Sequence, residues 1–219
     1  MEFKPEFVEL IAGRRIALRA ELAALFPKPC TVVWEIGCGH GHFLVRYAAE
    51  FPQKICVGVD LRRVRVDRGR RKAERAGLAN CHFLLAEARE FLLALPPRVT
   101  FEEIWVLFPD PWPKKRHHKN RLLLPDFFEA AAGRTGEGAR LYFRTDFEEY
   151  FLAVESLLPA LKTWRQGRGG DWPLEHETVF QARATSYHSL VAIRTSHPAR
   201  PVKTVAPGLP PPANPTSAA

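Results

Sequence analysis

The chain alternates short, apolar, β-branched runs with segments that carry apolar residues at helical spacing. The runs TVVWEIG (31–37), KICVGVD (54–60) and FEEIWVLF (101–108) have the length and composition of buried strands. Strands that alternate with helices usually form a parallel sheet, with right-handed crossovers and helices on both faces. The sequence therefore predicts an α/β fold built on a mostly parallel sheet.

The rest of the chain continues this alternation. An amphipathic N-terminal helix at 6–25 is predicted to cover one face of the sheet. We predict further helices at 42–51, 62–76, 88–95, 125–133 and 148–158, and further strands at 81–86, 139–146, 161–167 and 187–196. The predicted sheet then has seven strands.

The length and composition suit one domain. The chain has 219 residues, of which 46% are hydrophobic, so a buried core is expected. We predict a single domain over residues 1–200. Residues 201–219 are rich in proline and small side chains, which predicts a disordered tail.

The net charge is strongly positive. Lysine and arginine number 32 against 24 acidic residues, which gives a formal net charge of +8. Such an excess attracts phosphate-rich partners, but general solubility explains it equally well. The position of the charge in the fold must decide between the two.

The four cysteines show no CxxC spacing and lie in or beside apolar runs, which predicts reduced, mostly buried thiols and no metal site. The N-terminus lacks the layout of a signal peptide, and no apolar run approaches the ~18 residues of a membrane span. We expect a cytoplasmic protein without a membrane partner.

A glycine-rich turn follows the first predicted strand, in VWEIGCGHGHF. It carries Glu35 followed by Gly37, Gly39 and Gly41, and glycines let the backbone turn tightly and approach a ligand closely. The dinucleotide fingerprint GxGxxG would need a glycine where this chain has His42. A glycine turn that binds nothing is the alternative interpretation.

Two more acids follow the second and third predicted strands. Asp60 comes ~20 residues after the glycines, where a carboxylate can accept both hydroxyl hydrogens of a ribose, in S-adenosylmethionine or NAD equally. Glu87 follows the third strand, where an exposed, solvated side chain is as good an interpretation as a ligand contact. Because open α/β sheets bind ligands at the carboxyl ends of their strands, three acids in such positions indicate a ligand site.

The stretch FPDPWPKKRHHKNR (108–121) follows the fourth predicted strand. Its three prolines fix φ and remove backbone donors, so the loop that carries Asp110 is predicted to be stiff. Trp112 either packs against the loop or stacks on a base, and packing is favoured. Basic runs are usually solvated, but one beside a ligand site is better interpreted as a phosphate-binding surface for RNA. Its members are Lys114, Lys115, Arg116, His117, His118, Lys119 and Arg121.

Three motifs, WEIGCGHGHFL (34–44), FPDPWPKKRHHKNR (108–121) and RTDFEEY (144–150), resemble those of the bacterial tRNA (guanine-N7-)-methyltransferase family, TrmB. The resemblance covers about residues 31 to 194. It implies a Rossmann-like class I methyltransferase fold, S-adenosylmethionine as cofactor and tRNA as partner. The implied product is 7-methylguanosine, formed at guanosine 46 of the variable loop.

The resemblance also implies roles for single residues. Asp110 would be the active-site acid, and a carboxylate can accept both N1–H and the exocyclic amine of guanine. Lys114 and Asp146 would bind substrate. Asp146 also suits a helix cap, because TDFEE resembles a capping box with Glu149 at N3. The implied cofactor-binding residues are Glu35, Gly37, Gly39, Gly41, Asp60, Glu87 and Asp110.

The chain departs from the family at a T-x-[YF]-E element that helps to hold the target nucleotide. The nearest match is TVFQ, from Thr178 to Gln181, in which an amide replaces the acid. An amide oxygen accepts a hydrogen bond without bringing charge. His40 stands where lysine is common and Asp60 where glutamate is usual, and both changes keep the chemistry workable.

Three alternatives to tRNA methylation stay open at this point. The chain could methylate another RNA or a small molecule, or it could bind RNA without catalysis and keep a vestigial cofactor pocket. A nucleotide-dependent oxidoreductase is disfavoured by His42. We predict a monomer or homodimer that needs no metal.

Overall fold

A computed structural model describes residues 5–168, 172–175 and 181–199. Seven strands form one sheet: β1 Cys30–Ile36, β2 Ile55–Asp60, β3 Cys81–Leu85, β4 Val99–Leu107, β5 Thr135–Thr145, β6 Trp164–Gln166 and β7 His188–Arg194. Six α-helices accompany them: α1 Pro5–Leu25, α2 His42–Glu50, α3 Arg63–Arg75, α4 Ala88–Ala94, α5 Pro125–Ala132 and α6 Glu148–Leu157. Short 3-10 helices lie at Lys115–Asn120, Leu158–Ala160 and Gln181–Arg183.

The strand order across the sheet is β3-β2-β1-β4-β5-β7-β6. Strands β1 to β5 pair in parallel, whereas β7 is antiparallel to both β5 and β6. The predicted mostly parallel, seven-stranded sheet is therefore confirmed. Because β1 to β5 run in the same direction, the loops that follow them lie together at one end of the sheet, which we call the carboxyl end.

Helices cover both faces of the sheet, as predicted. Side chains of a strand alternate between the two faces, and β1 shows this directly. Val32 and Trp34 pack with residues of α1, α4, α5 and α6, whereas Val33 packs with residues of α2 and α3. Burial on both faces explains why the strand runs are almost continuously apolar.

The sequence located the elements to within a few residues, with three differences. Strand β5 begins at Thr135, not at 139, because Thr135 pairs with Phe101 before a register shift in the ladder. Strand β6 is confined to Trp164–Gln166. None of the three described 3-10 helices was predicted.

Some features of the sequence lie beyond the part of the chain that the structure describes. The proline-rich stretch 201–219 and Thr178 are among them, so the predicted tail and domain boundary stay predictions. Across residues 5–168, 172–175 and 181–199, no helix combines the length and apolar character needed to cross a bilayer. Within the same residues, no group of three His, Cys, Asp or Glu side chains could hold a metal ion.

Candidate cofactor and substrate site

The glycine turn after β1 is fixed to the neighbouring strand by backbone hydrogen bonds. The amides of Gly37 and Cys38 donate to the Val59 carbonyl at 2.9 and 3.0 Å. The Gly39 amide donates to Oδ2 of Asp60 at 3.0 Å. Since Asp60 ends β2, the turn is held at the carboxyl end of the sheet between two parallel strands.

The three glycines of the turn have positive φ angles of 71° at Gly37, 53° at Gly39 and 70° at Gly41, which favour glycine at each position. Their surroundings differ. A Cβ on Gly41 would lie 2.6 Å from the Phe83 ring, so this glycine is needed for packing. A Cβ on Gly37 or Gly39 would meet no atom of the described residues within 4 Å. These two glycines therefore border open space that a ligand can enter.

Glu35 lies under the turn and is only 4% exposed. Its Oε2 atom is buried and has no hydrogen-bond partner among the residues that the structure describes. Burial, together with the nearby Asp60 charge, raises the pKa of the Glu35 carboxyl to about 8, and the Leu44 backbone amide opposes this shift. Because buried polar atoms are nearly always paired in folded proteins, the orphaned oxygen marks a place where a ligand can donate a hydrogen bond.

Asp60 is buried, and it holds the backbone around the turn. Besides Gly39, it accepts a hydrogen bond from the Arg62 amide on Oδ1 at 2.8 Å, and Arg65 lies 3.5 Å from Oδ2. Each carboxylate oxygen has a second lone pair. The predicted contact with a ribose therefore requires Asp60 to serve the turn and the ligand together.

Glu87 is half-buried at the start of α4. Its side chain caps the helix by accepting a hydrogen bond from the Glu90 amide at 2.9 Å. Burial raises the pKa of the Glu87 carboxyl. The alternative that Glu87 is an exposed, solvated acid is therefore wrong, because this carboxylate is used locally as a cap.

Asp110 is exposed at the carboxyl end of β4, in a strained loop. Phe108 and Trp112 flank it with φ angles of 50° and 46°, in the left-handed region that side chains disfavour. Strain of this kind costs about 1–3 kcal/mol per residue and persists only where neighbours enforce it. The Phe108 amide donates to the Arg144 carbonyl at 2.7 Å, which ties the loop to β5.

Arg121 supports the same loop from the buried side. It is 4% exposed, and its Nε donates to the Pro111 carbonyl at 2.9 Å. Its guanidinium lies 4.9 Å from the Tyr150 ring and 3.3 Å from a Glu149 oxygen, both on α6. The prediction that Arg121 contacts RNA phosphates is therefore wrong, because this cation is buried and used to hold the Asp110 loop.

The predicted basic run divides into two groups. His118 is half-buried and lies 3.0 Å from Arg121 and 3.2 Å from Glu149. His117 is also half-buried and packs edge-on against the Trp112 ring. Trp112 therefore packs within its own loop region, the interpretation that the sequence favoured. The exposed cations of the run are Lys114, Lys115, Arg116 and Lys119.

Arg144, at the end of β5, organises a cluster that the sequence did not predict. It is 4% exposed. Its guanidinium donates to both oxygens of Glu175 at 3.0 and 2.9 Å and to Oε1 of Gln181 at 3.1 Å. Nε donates to the Ser189 hydroxyl at 2.8 Å. Gln181 and the Glu175 carboxylate thus accept hydrogen bonds from the same guanidinium.

Two aromatic rings complete this cluster. The Arg144 guanidinium lies 4.0 Å from the Trp172 ring centroid and 4.7 Å from that of Tyr187. The Tyr187 ring also meets Phe108 edge-on, and its hydroxyl accepts a hydrogen bond from Gln181 at 3.1 Å. We call Arg144, Trp172, Glu175, Gln181, Tyr187 and Ser189 the Arg144 cluster. It joins the described parts of the last third of the chain to the Asp110 loop.

Asp146 is exposed just past β5, beside this cluster in sequence. Helix α6 begins at Glu148, and its capping residue is Phe147, without a side-chain cap. The Thr145 hydroxyl oxygen accepts a hydrogen bond from the Phe147 amide at 3.1 Å. The predicted capping box at Asp146 is therefore wrong, and its carboxylate is exposed to solvent.

Comparisons with known proteins identify the family of the chain. A family model described as "Putative methyltransferase" matches residues 29–195. A tRNA (guanine-N(7)-)-methyltransferase from Geobacter metallireducens is 33% identical over 143 residues, which cover 65% of this chain and 68% of that protein. The chain belongs to this family. The tRNA (guanine-N(7)-)-methyltransferase of Halorhodospira halophila is 38% identical over 130 residues, covering 59% of this chain and 56% of that protein.

This member of the tRNA (guanine-N(7)-)-methyltransferase family thus spans between about half and two thirds of the length of the relatives that it matches. Among solved structures, a 16S rRNA (adenine(1408)-N(1))-methyltransferase from Catenulisporales acidiphilia superposes with a TM-score of 0.54 at 16% identity. The match covers 92% of this chain and 96% of the other. The Rossmann-like methyltransferase fold is confirmed.

Proposed function

We propose that this chain transfers a methyl group from S-adenosylmethionine to N7 of a guanosine in tRNA. One observation carries the proposal. A stiff loop at the carboxyl end of β4 presents the exposed Asp110 carboxylate. The adjacent β1 carries Glu35 near its end, with an Oε2 atom that no described residue hydrogen-bonds, and leads into the open glycine turn. A cofactor and a base can therefore meet between two neighbouring strands.

The residues at the turn fit S-adenosylmethionine. Glu35 offers an unpaired acceptor, Gly37 and Gly39 border open space, and Asp60 retains acceptor capacity for a ribose. S-adenosylmethionine supplies an electrophilic methyl group on a positively charged sulfur. The raised pKa keeps Glu35 protonated up to about pH 8 in the free protein. A cationic ligand would favour the ionised form of this carboxyl, because opposite charges attract strongly where water is excluded.

N7 of guanine carries a free lone pair and no proton, so methyl transfer there needs no strong base. The chain must instead align the base and stabilise the positive charge that develops on the purine. Alignment of the two reactants supplies most of the rate enhancement expected of such a site. The Asp110 carboxylate can accept the N1–H and amine hydrogens of guanine and stabilise the growing charge.

The exposed cations that follow Asp110 suit the phosphates of the same RNA. Lys114, Lys115, Arg116 and Lys119 are all exposed. They follow directly on the Asp110 loop, which buried Arg121 holds in place. Phosphate contacts position an RNA without reading its sequence. We propose that these cations, together with the exposed Asp146, hold the nucleotides around the target guanosine.

We further propose that the target is guanosine 46 of the variable loop. The reaction would take place in the cytoplasm, and the enzyme would act as a monomer or homodimer. The purified chain should transfer radiolabelled methyl groups to unmodified tRNA, and nucleoside analysis should identify 7-methylguanosine. A transcript with adenosine in place of guanosine 46 should accept no label. Label in the altered transcript would contradict the assignment of the position but not of the reaction.

A second candidate, methylation of another RNA, is motivated by Gln181. This amide hydrogen-bonds to Arg144 and Tyr187, where the family has an acid. A changed substrate contact here would alter which nucleotide is held. The same nucleoside analysis, run on total RNA after digestion, separates the two candidates by the identity of the methylated base and of the RNA that carries it.

Replacing Glu35 with Gln is expected to stabilise the cofactor-free protein. In the wild type, the unfolded carboxyl ionises as pH rises above its ordinary pKa near 4.5, while the folded one stays protonated until about pH 8. The wild type therefore loses stability across this window, and the neutral glutamine does not. The difference in Tm between variant and wild type should grow from pH 5 to pH 8.

The same variant should bind S-adenosylmethionine about tenfold more weakly or worse, because it cannot become an anionic acceptor. Glu103→Gln is the matched control, since Glu103 is also buried but accepts hydrogen bonds from Tyr47 and Trp105 and pairs with Lys54. That control should lose stability. A Glu35→Gln protein that melts below the wild type at every pH would show that Oε2 of Glu35 already has a partner.

A further inference from the structure

A second cationic area lies on α2 and α3, away from the Asp110 loop. Helix α3, RVRVDRGRRKAER, carries seven basic and two acidic residues. Its buried residues are Val66, Gly69 and Ala73, which face the sheet. Most of its cations therefore line the outer surface, where Arg68 and Arg75 are exposed and Lys72 is half-buried.

These side chains converge with residues of α2 and of the glycine turn. Lys72 donates to the His40 carbonyl at 2.9 Å and lies 2.8 Å from Nε2 of His42, and Arg68 lies 3.3 Å from Nε2 of His40. An open groove of about 450 Å³ between the two helices is lined by His42, Arg46, Lys72 and Arg75, with small apolar residues between them. We call Arg46, Arg68, Lys72 and Arg75, with His40 and His42, the α2–α3 basic surface.

The charge on this surface is not neutralised by the described part of the chain. Neighbouring α3 cations do pair with acids, Arg65 with Asp60 and Arg70 with Glu21. None of Arg46, Arg68, Lys72 or Arg75 forms a salt bridge within residues 5–168, 172–175 and 181–199. Like charges four residues apart on a helix, such as Arg68 and Lys72, cost stability rather than add to it.

Besides burial, the unneutralised positive charge also shifts the pKa values of Lys72 and His40. Burial, then the charges of Arg75 and Arg68, lower the pKa of Lys72. Burial, then Arg68 and Lys72, lower the pKa of His40. An anion placed in the groove would relieve this repulsion, and the ligand that matches a row of cations is a row of phosphates.

The position of the α2–α3 basic surface indicates that its polyanionic ligand is the RNA substrate. It starts at the glycine turn, where His40 adjoins Gly39, and α3 then runs back from the carboxyl end of the sheet. Arg68 and Arg75 are seven residues apart, about 10 Å along a helix, so their side chains can reach different phosphates of one strand. RNA whose target base is at the carboxyl end can therefore continue along this surface.

We propose that the α2–α3 basic surface binds the phosphate backbone of the tRNA substrate. This surface is separate from the exposed cations of Lys114–Lys119. Those cations follow the Asp110 loop, which Arg121 ties to α6 on the other face of the sheet. The RNA is then held on both sides of the reacting base. This inference rests on the proposed function for the identity of the RNA.

The test uses charge reversal at three exposed arginines of the surface, Arg46→Glu, Arg68→Glu and Arg75→Glu together. A control of identical net charge combines Arg19→Glu, Arg140→Glu and Arg165→Glu, which are exposed on α1, β5 and β6. Affinity for unmodified tRNA is measured by fluorescence anisotropy over a range of salt concentrations. Thermal unfolding and calorimetry with S-adenosylhomocysteine report whether fold and cofactor pocket are intact.

The surface variant should bind tRNA at least about tenfold more weakly than the control, with a salt slope lower by about 2 to 3 units, because three phosphate contacts are lost. Its affinity for S-adenosylhomocysteine and its kcat at saturating tRNA should match those of the control. Equal tRNA affinities in the two triple variants would overturn the proposal. Because binding is measured without methyl transfer, tRNA binding through this surface without any 7-methylguanosine would contradict only the proposed function.

Discussion

Asp110→Asn is expected to lower the rate of tRNA methylation by about 10² to 10³-fold, the usual loss when one preorganised electrostatic contact is removed from an active site. Asparagine has the same shape but no charge, and its amide would present a donor where guanine needs an acceptor. Asp110 is exposed. Its loss should therefore change the free energy of unfolding by less than about 0.5 kcal/mol.

The measurement is single-turnover methylation of unmodified tRNA, with the melting temperature recorded alongside. Glu137→Gln provides the control, because Glu137 is an exposed acid in β5 that lies at the start of the strand, away from the carboxyl end. The control should keep wild-type activity. Near-normal turnover by Asp110→Asn would remove Asp110 from the active site and leave it as a loop residue only.

Arg144→Ala is expected to lower both stability and kcat/KM for tRNA. The change removes four hydrogen bonds and two ring contacts from a buried guanidinium, which should cost about 3 kcal/mol of unfolding free energy. The segments 172–175 and 181–187 then lose their anchor beside the Asp110 loop. A displacement of about 1 Å at the reacting atoms lowers turnover by about 10²-fold.

Arg194→Ala separates positioning from stability. Arg194 is a buried arginine of β7 that donates to backbone carbonyls at the opposite end of the sheet. Both variants are assayed below their melting temperatures, with S-adenosylhomocysteine affinity as a check on the pocket. Only Arg144→Ala should raise KM for tRNA and lower kcat. If the two variants are equally active when folded, the role of Arg144 is purely structural.

Arg144→Lys should behave almost like the alanine variant. A lysine ammonium cannot form the forked pair with Glu175 or offer a planar cation to the Trp172 and Tyr187 rings. The comparison therefore tests the planar geometry of the guanidinium, and full rescue by lysine would show that charge alone is sufficient.

Local sequence patterns were enough to predict the sheet and the place of the glycine turn. Strands β1, β2 and β4 are short, mostly apolar runs that are buried on both faces over most of their length, so composition and length identify them. The position of Asp110 followed from the same logic, because the loop after a parallel strand must lie at the carboxyl end. Side-chain roles at that end were harder to predict.

Arg121 illustrates why. In the sequence it is the last cation of a basic run, and nothing local distinguishes it from exposed Lys119. The 3-10 helix Lys115–Asn120 turns Arg121 inward, where α6 provides a carboxylate and an aromatic ring. Orientation set by a later element of the chain is not encoded in the spacing of the run itself.

The Arg144 cluster was missed for a related reason. Glu175, Gln181 and Tyr187 lie far along the chain from Arg144, and their pairing depends on β7 returning antiparallel beside β5. A charged residue within the buried last five residues of β5, 141–145, was the one local signal. Such a residue must find a partner when buried, but the sequence does not say which.

The conformation of the Asp110 loop has a thermodynamic consequence for recognition. Phe108 and Trp112 hold unfavourable backbone angles before any substrate arrives, and three prolines have already removed most of the loop's freedom. The cost of ordering the loop is therefore met during folding, by the core and by the contacts of Arg121. When guanine binds, little further backbone entropy is lost, so more of each contact's free energy remains available for affinity and alignment.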